Sequence, residues 1–175
     1  MKKLLMGMVA GGMVLFLWGT VSWMLLPWHR AAMHGFTNEA AVAEVLLANV
    51  PKAGIYVLPD CTKHDQPKPP GPFVFASIRP EGVNSTSPAL YVRGLLIEML
   101  GALLVTFLVV TIPGLGYGSR VRLITLVALI AGVLGHLPNW QWWQFSFGFT
   151  LVNILDLVIG YFLAGLVIAK IAGDA

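Results

Sequence analysis

The chain has 175 residues, of which 57% are hydrophobic and only 11% are charged, with a net charge of +3 and a mean hydropathy of +0.79. Soluble domains carry about 25% charged residues, and disordered chains are poor in hydrophobic residues and rich in charge. The composition therefore excludes an ordinary soluble enzyme and a disordered chain, and it predicts an all-α integral membrane protein.

The distribution of basic residues excludes one class of partner, and the single cysteine excludes one kind of covalent bond. The 11 lysine and arginine residues are scattered along the chain, so no run predicts binding to the phosphate backbone of a nucleic acid. Cys61 is the one cysteine, which excludes a disulfide within one copy. We interpret it as a lone thiol in a loop, with a disulfide between two copies as the alternative.

Four apolar stretches approach the roughly 20 residues that a helix needs to cross the hydrocarbon of a bilayer. The first follows Lys2 and Lys3 and is longer than the roughly 7 to 15 residues of a signal-peptide core, so it predicts an uncleaved signal anchor. The third is short, and the tryptophan-rich stretch after it is expected to reach the membrane interface. The predicted spans are 4–27, 89–113, 123–137 and 148–171, with an aromatic interfacial segment over 138–147.

Residues 28–88, between the first two spans, predict a small α+β extracytoplasmic insert. Thr37 is the expected N-cap of one short helix, which Pro51 ends. The stretches 54–58 and 73–78 are rich in β-branched and aromatic residues, which predicts two strands. The proline-rich linker between them predicts a loop.

Lysine and arginine in the short connections predict the orientation. They flank the membrane on one side, whereas the segment 138–147 has no charge. The pattern predicts a multi-pass protein of the bacterial inner membrane with both termini in the cytoplasm. The aromatic anchors expected at the opposite interface are Trp28, Trp140, Trp142 and Trp143.

Two acidic residues, Glu98 and Asp156, lie within predicted spans. Ionisable groups are costly there and mark functional sites. Each acid shares a helix face with small residues, which predicts that both face the bundle interior, and their similar depth allows one shared pocket. The predicted intramembrane polar cluster consists of Glu98, Asp156, Asn153, His136 and Ser22.

We favour a structural role for these acids, in which they hydrogen-bond to neighbouring helices, or pair with Arg93 and His136, and so fix the packing. A site for a transported ion or small molecule is the first alternative, and a catalytic site is the second. His29 and His34 could join His136 in a metal site, but no HExxH or similar spacing accompanies them. We therefore predict no metal site and interpret these histidines as interfacial residues.

Several motifs of enzyme active sites do not occur in the sequence. There is no glycine-rich phosphate loop, no GxSxG elbow and no CxxC pair. The sequence accordingly predicts no catalytic residue and a protein that is not an enzyme, and it leaves any cofactor unknown.

Apolar and aromatic motifs along most of the chain resemble those of small bacterial four-helix inner-membrane proteins of unknown function. The resemblance implies no established activity. It implies only an anchor helix, an outer insert and three further helices. The motifs are FLWGTVSWMLLPWH over 16–29, GIYVLP over 54–59, GPFVF over 71–75, WQWWQFSFGFT over 140–150 and LAGLVIAKI over 163–171.

Two functions are compatible with these features. The first is a non-enzymatic accessory or scaffold subunit that packs with membrane lipid, with other membrane proteins or with a second copy, and presents its insert to a periplasmic partner. It follows from the small size and the small residues on every span. The alternative is a small-solute or proton-coupled carrier that uses Glu98 and Asp156, as a homo-oligomer because four helices are few for a carrier.

Overall fold

The computed structural model describes residues 1–60, 62, 67 and 70–173. The chain forms two compact units, a helical unit of Met1–His34 with Thr86–Ala175 and an insert of Gly35–Ser85. The helical unit contains four helices long and apolar enough to cross a membrane: Lys2–Leu25, Pro88–Thr111, Tyr117–Trp143 and Phe147–Gly173. These four helices fit the multi-pass membrane protein that the composition predicted.

The first spanning helix changes pitch before it ends. Helix α1 (Lys2–Thr20) continues into one π-helical turn (Val21–Leu25), and the backbone becomes extended at Leu26. Pro27 accounts for this ending, because the residue before a proline is disfavoured in a helix. A short helix α2 (Trp28–Ala31) follows at once. Residue 28, where the sequence placed the start of the insert, therefore belongs to the helical unit.

Helix α1 packs between α4 (Pro88–Thr111) and α6 (Phe147–Gly173), and α6 also packs along α5 (Tyr117–Trp143). Glycines allow this close approach. A Cβ atom on Gly11 would lie 2.6 Å from Cδ1 of Ile168 on α6 and 3.1 Å from Cβ of Ala102 on α4. Small residues at helix contacts have this role in membranes, where packing drives association.

The buried core of the helical unit runs along the contacts of α1, α4, α5 and α6. It is made of small and branched apolar side chains, which pack closely between helices. The members are Leu15, Ala102, Val105, Val109, Ile124, Ala164, Ile168 and Ala172.

Helix α5 extends beyond the predicted span 123–137 at both ends. It passes through Pro138, which has no N–H to donate to the carbonyl of Leu134. Proline is tolerated within membrane helices. The helix ends after Trp143, where Gln144 adopts a left-handed conformation with φ 55°. Much of the predicted interfacial segment is thus helical.

The insert contains one helix and one ribbon. Helix α3 (Glu39–Asn49) begins at Asn38, whose Oδ1 accepts from the N–H of Ala41 at 3.0 Å. The prediction of Thr37 as the cap is therefore wrong by one residue, since asparagine is an equally strong capping residue. The predicted sheet is confirmed: β1 (Gly54–Leu58) pairs antiparallel with β2 (Val74–Ile78). Cys61, in the linker between them, lies outside the described residues.

Candidate functional site

The two ends of the helical unit differ in chemistry. At the end where α1 and α5 begin, the Lys3 ammonium donates to the carbonyl of Ala172 at 3.1 Å, and the Arg120 guanidinium donates to that of Ala169 at 3.4 Å. Cations stabilise the C-terminus of a helix, where carbonyl groups lack partners. We call this end the cationic end. It carries Lys2, Lys3, Arg120, Arg122 and Lys170.

A buried histidine lies towards the opposite end. The turn at Pro27 and the helix α2 fold the chain back, so that His29 is 0% exposed. We call the group around it the His29 cluster. It consists of Trp18, Ser22, Trp23, Trp28, His29 and Asp156.

Asp156, on α6, connects this cluster to the rest of the helical unit. Its Oδ1 accepts from the indole N–H of Trp18 at 2.7 Å, and its Oδ2 lies 3.2 Å from Nε2 of His29. The backbone carbonyl of Asp156 accepts from the same indole at 3.0 Å. One carboxylate, 16% exposed, therefore ties both α1 and the returning chain to α6.

Aromatic and hydroxyl groups enclose the imidazole of His29. Its ring stacks on Trp23, with centroids 3.8 Å apart and planes 12° apart. Ser22 Oγ lies 3.1 Å from Nε2 and accepts from the indole N–H of Trp28 at 3.0 Å. The ring is therefore held in one orientation by contacts on its face and at its edge.

The π-helical turn accounts for part of this geometry. Ser22 and Trp23 are adjacent in sequence, yet both contact His29, the first through its hydroxyl and the second through its ring face. A π-helical turn is wider than an α-helical turn, and such turns are frequent at functional sites. The local change of pitch coincides here with the polar cluster.

The hydrogen bonds assign the tautomer of His29. Nδ1 is buried and has no partner among the described residues. If Nδ1 carried the hydrogen, a buried N–H would lack an acceptor, and the lone pair of Nε2 would face the carboxylate of Asp156. Both arrangements are unfavourable. The hydrogen therefore lies on Nε2, which donates to Asp156, and Nδ1 presents a bare lone pair.

The arrangement differs from a nucleophilic triad. In a serine-hydrolase triad, the serine and the aspartate bond to opposite nitrogens of the histidine. Here Ser22 and Asp156 both lie against Nε2. Among the described residues, no group of three His, Cys, Asp or Glu side chains could hold a metal ion.

The two predicted intramembrane acids are near each other. Glu98, on α4, is half-buried and close enough to Asp156 for the two carboxylates to interact electrostatically. Tyr161 is within electrostatic range of Glu98 in turn, and its hydroxyl packs against Gly101, one turn along α4. A series of ionisable groups thus runs from His29 through Asp156 and Glu98 to Tyr161.

The other predicted residues divide between the His29 cluster and separate positions. Ser22 and Trp28 belong to the cluster. Asn153 is half-buried and donates to the carbonyl of Phe149 at 2.7 Å, within its own helix. His136 is half-buried, and no hydrogen bond joins it to either acid among the described residues. Trp140 and Trp142 are exposed near the end of α5.

Sequence analysis missed His29, Trp18 and Trp23 as members of the site. His29 follows the end of an apolar stretch, which is also the position of an interfacial residue. Its burial depends on the chain reversal after Leu26, and no periodic pattern signals that reversal. The available signal was Pro27 between two tryptophan-containing segments.

Comparisons with protein-family models, with curated proteins and with solved structures found no match.

The His29 cluster joins an imidazole ring to a carboxylate that also interacts with a second carboxylate. Such an arrangement can hold a proton and share it between groups. It can also fasten three helical segments together.

Proposed function

We propose that the protein is a non-enzymatic accessory subunit of the bacterial inner membrane whose insert docks onto a partner protein. The observation that carries the proposal is the apolar surface of the insert. That surface occurs on both the ribbon and helix α3.

The ribbon exposes apolar side chains on both faces. Ile55 is 58% exposed on one face, and Leu58 and Val74, which are paired across the strands, are exposed on the other. A two-stranded ribbon is marginally stable alone, and exposed apolar patches mark interaction sites. A surface that covers the ribbon would stabilise it.

The charges of helix α3 favour a protein over a lipid surface. Val45 and Leu47 are exposed, and the helix carries Glu39 and Glu44 but no lysine or arginine. Helices that bind membrane surfaces are rich in basic residues, and anionic lipids attract cations. The expected partner therefore has an apolar groove with a basic rim.

The charges at the ends of the helical unit support the orientation in this proposal. All five basic residues of the cationic end flank the membrane on one side, whereas the segment between α5 and α6 has no charge. Cytoplasmic connections are enriched in lysine and arginine. This distribution supports an orientation with both termini in the cytoplasm and the insert in the periplasm.

Photo-crosslinking in native membranes tests the docking surface. A photoreactive amino acid replaces Leu47 or Ile55 in the full chain, with Leu104, an exposed residue of α4, as the control position. We expect one reproducible protein adduct at both insert positions and not at the control. We also expect Glu39→Lys with Glu44→Lys to remove that adduct. Adducts with lipid alone, or an adduct that survives the charge reversal, would overturn the proposal.

A proton-coupled carrier is the second candidate, and the proximity of Glu98 to Asp156 favours it. Intramembrane acids close to each other are typical of proton and ion pathways. In this case the protein acts as a homo-oligomer and moves a small solute. Solute flux into vesicles that contain the purified protein should be lost in Glu98→Gln and in Asp156→Asn but retained in Asn153→Leu. Equal flux in the wild type and in all three variants would exclude the carrier.

A further inference from the structure

An apolar groove lies between α1 and α6, close to the cationic end of the helical unit. Its volume is about 380 Å³, which is typical of sites that hold small molecules. Neither proposed function uses it. Four residues of α1 and one of α6 form its wall, and all five are apolar: Leu5, Met6, Val9, Ala10 and Ile171.

Lysine residues border the groove on the side of the cationic end. Lys2 lies one helical turn before Met6, on the same face of α1, and Lys170 directly precedes the groove residue of α6. Both lysines are exposed. Lys3 ties the two helices together here, since its ammonium donates one of its three hydrogens to the carbonyl of Ala172. Positive charge is thus concentrated where the groove begins.

The charge at this end is not balanced by the protein. Among the described residues of the cationic end, none is acidic. Helix α1 has no acidic residue in its first turn and no side-chain cap, although the first N–H groups of a helix lack partners within it and attract anions. The expected ligand is therefore an anion with an apolar portion.

We propose that this groove binds one anionic phospholipid, with its phosphate against Lys2 and Lys170 and one acyl chain along Met6 and Val9. Basic pockets between spanning helices bind anionic lipid headgroups. The depth order also fits, because α1 advances about 12 Å from Lys2 to Ala10, away from the charged interface and into the apolar part of the helical unit.

The net charge of the headgroup decides which lipid the site selects. A zwitterionic lipid would bring an ammonium group to an end that already carries three lysines and offers no carboxylate among its described residues. An anionic lipid brings no such cation. The site lies within the helical unit, and so it depends neither on docking by the insert nor on transport.

Native mass spectrometry of the full chain tests this selectivity. The protein in mild detergent is incubated with equal amounts of phosphatidylglycerol, which is anionic, and phosphatidylethanolamine, which has no net charge, both with the same acyl chains. We expect the wild type to retain one phosphatidylglycerol in preference to phosphatidylethanolamine. Equal retention of the two lipids would overturn the proposal.

Three variants test whether the lysines at the groove cause the preference. Lys2→Gln and Lys170→Gln replace exposed side chains, and each should lower the preference for phosphatidylglycerol about fivefold, the effect of one cation near an anionic lipid. Arg122→Gln removes an exposed cation of the same end on α5 and should leave the preference unchanged. An equal loss in all three variants would assign the attraction to overall charge and overturn the site.

The acyl chain is tested separately from the headgroup. Val9→Phe fills the groove without a change of charge and should reduce the retention of phosphatidylglycerol, whereas Leu104→Phe, at an exposed position of α4, should not. Inorganic phosphate should not displace the bound lipid. Undiminished retention in Val9→Phe, or displacement by inorganic phosphate, would show that the groove does not hold the chain.

Discussion

Asp156 accepts hydrogen bonds from two side chains on different segments, and so its replacement tests the connections of the site. Asp156→Leu would leave the buried imidazole of His29 without its carboxylate acceptor, at a cost of about 1 to 3 kcal/mol, and the indole of Trp18 would keep only the backbone carbonyl of residue 156 as its acceptor. Asp156→Asn keeps one acceptor oxygen and supplies an N–H. We expect both variants to lower the melting temperature in detergent, with the leucine variant lower.

Asn153→Leu is the matched control for Asp156→Leu. Among the described residues, its side-chain hydrogen bond lies within α6, and we expect a small change in melting temperature. Likewise, Glu98→Leu should have a lower melting temperature than Glu98→Gln. A leucine variant more stable than wild type would place that acid against lipid, because removal of a lipid-facing charge relieves about 2.5 to 3.5 kcal/mol.

Gly160 provides a second residue-scale test, through packing rather than polarity. A Cβ atom there would lie 2.8 Å from Cδ1 of Trp18 and 3.4 Å from Cδ2 of Leu15. Gly160→Ala should therefore displace the indole that bonds to Asp156 and lower the melting temperature. In Gly135→Ala, the Cβ meets nothing within 4 Å. There, alanine should stabilise the protein by up to about 1 kcal/mol through helix propensity.

The two alanine variants are expected to change stability in opposite directions. This difference separates the effect of the close contact from the effect of helix propensity. Both replace glycine within a spanning helix, and so the intrinsic preference is the same. If Gly160→Ala were as stable as Gly135→Ala, the close contact between α1 and α6 at Trp18 would be contradicted.

At the scale of elements, the sequence predicted what depends on composition and local pattern. The four apolar stretches became the four long helices, and Gly54–Leu58 became a strand. The sequence did not predict the continuation of α5 through Pro138, since proline commonly ends a helix but is tolerated within membrane helices. Nor did it predict the π-helical turn, which has the same apolar composition as the α-helix before it.

The π-helical turn is itself testable by deletion. Removal of Leu25, an exposed residue at its end, should restore α-helical pitch and rotate Trp28 and His29 relative to Ser22. We expect a lower melting temperature in detergent, because His29 would lose its contacts with Ser22 and Asp156. Met24→Ala is the control, since it keeps the length of the turn and removes only an exposed side chain. A deletion variant that retains the wild-type melting temperature would show that the turn does not position the ring.

At the scale of the whole molecule, the two ends of the helical unit contain different polar groups. Cations at one end donate to carbonyls in the last turns of α6, and in the His29 cluster nearer the other end Asp156 bonds to the indole of Trp18 and to Nε2 of His29. Sequence analysis found the two acids because a charge within an apolar stretch is visible in one dimension. It missed His29 because the partner Asp156 lies 127 positions away, and only the packing of α6 on α1 brings them together.

The distribution of cations also makes the orientation testable. Lysine and arginine resist translocation, so the side with Lys2, Lys3, Arg120 and Arg122 should stay in the cytoplasm. A reporter that is active only in the cytoplasm should be active after Gly118 and after Ala175, and inactive when fused at Gln66. A reporter that requires export should show the reverse pattern. Cytoplasmic activity at Gln66 would contradict the assigned orientation and the periplasmic position of the insert, because residue 66 lies between its two strands.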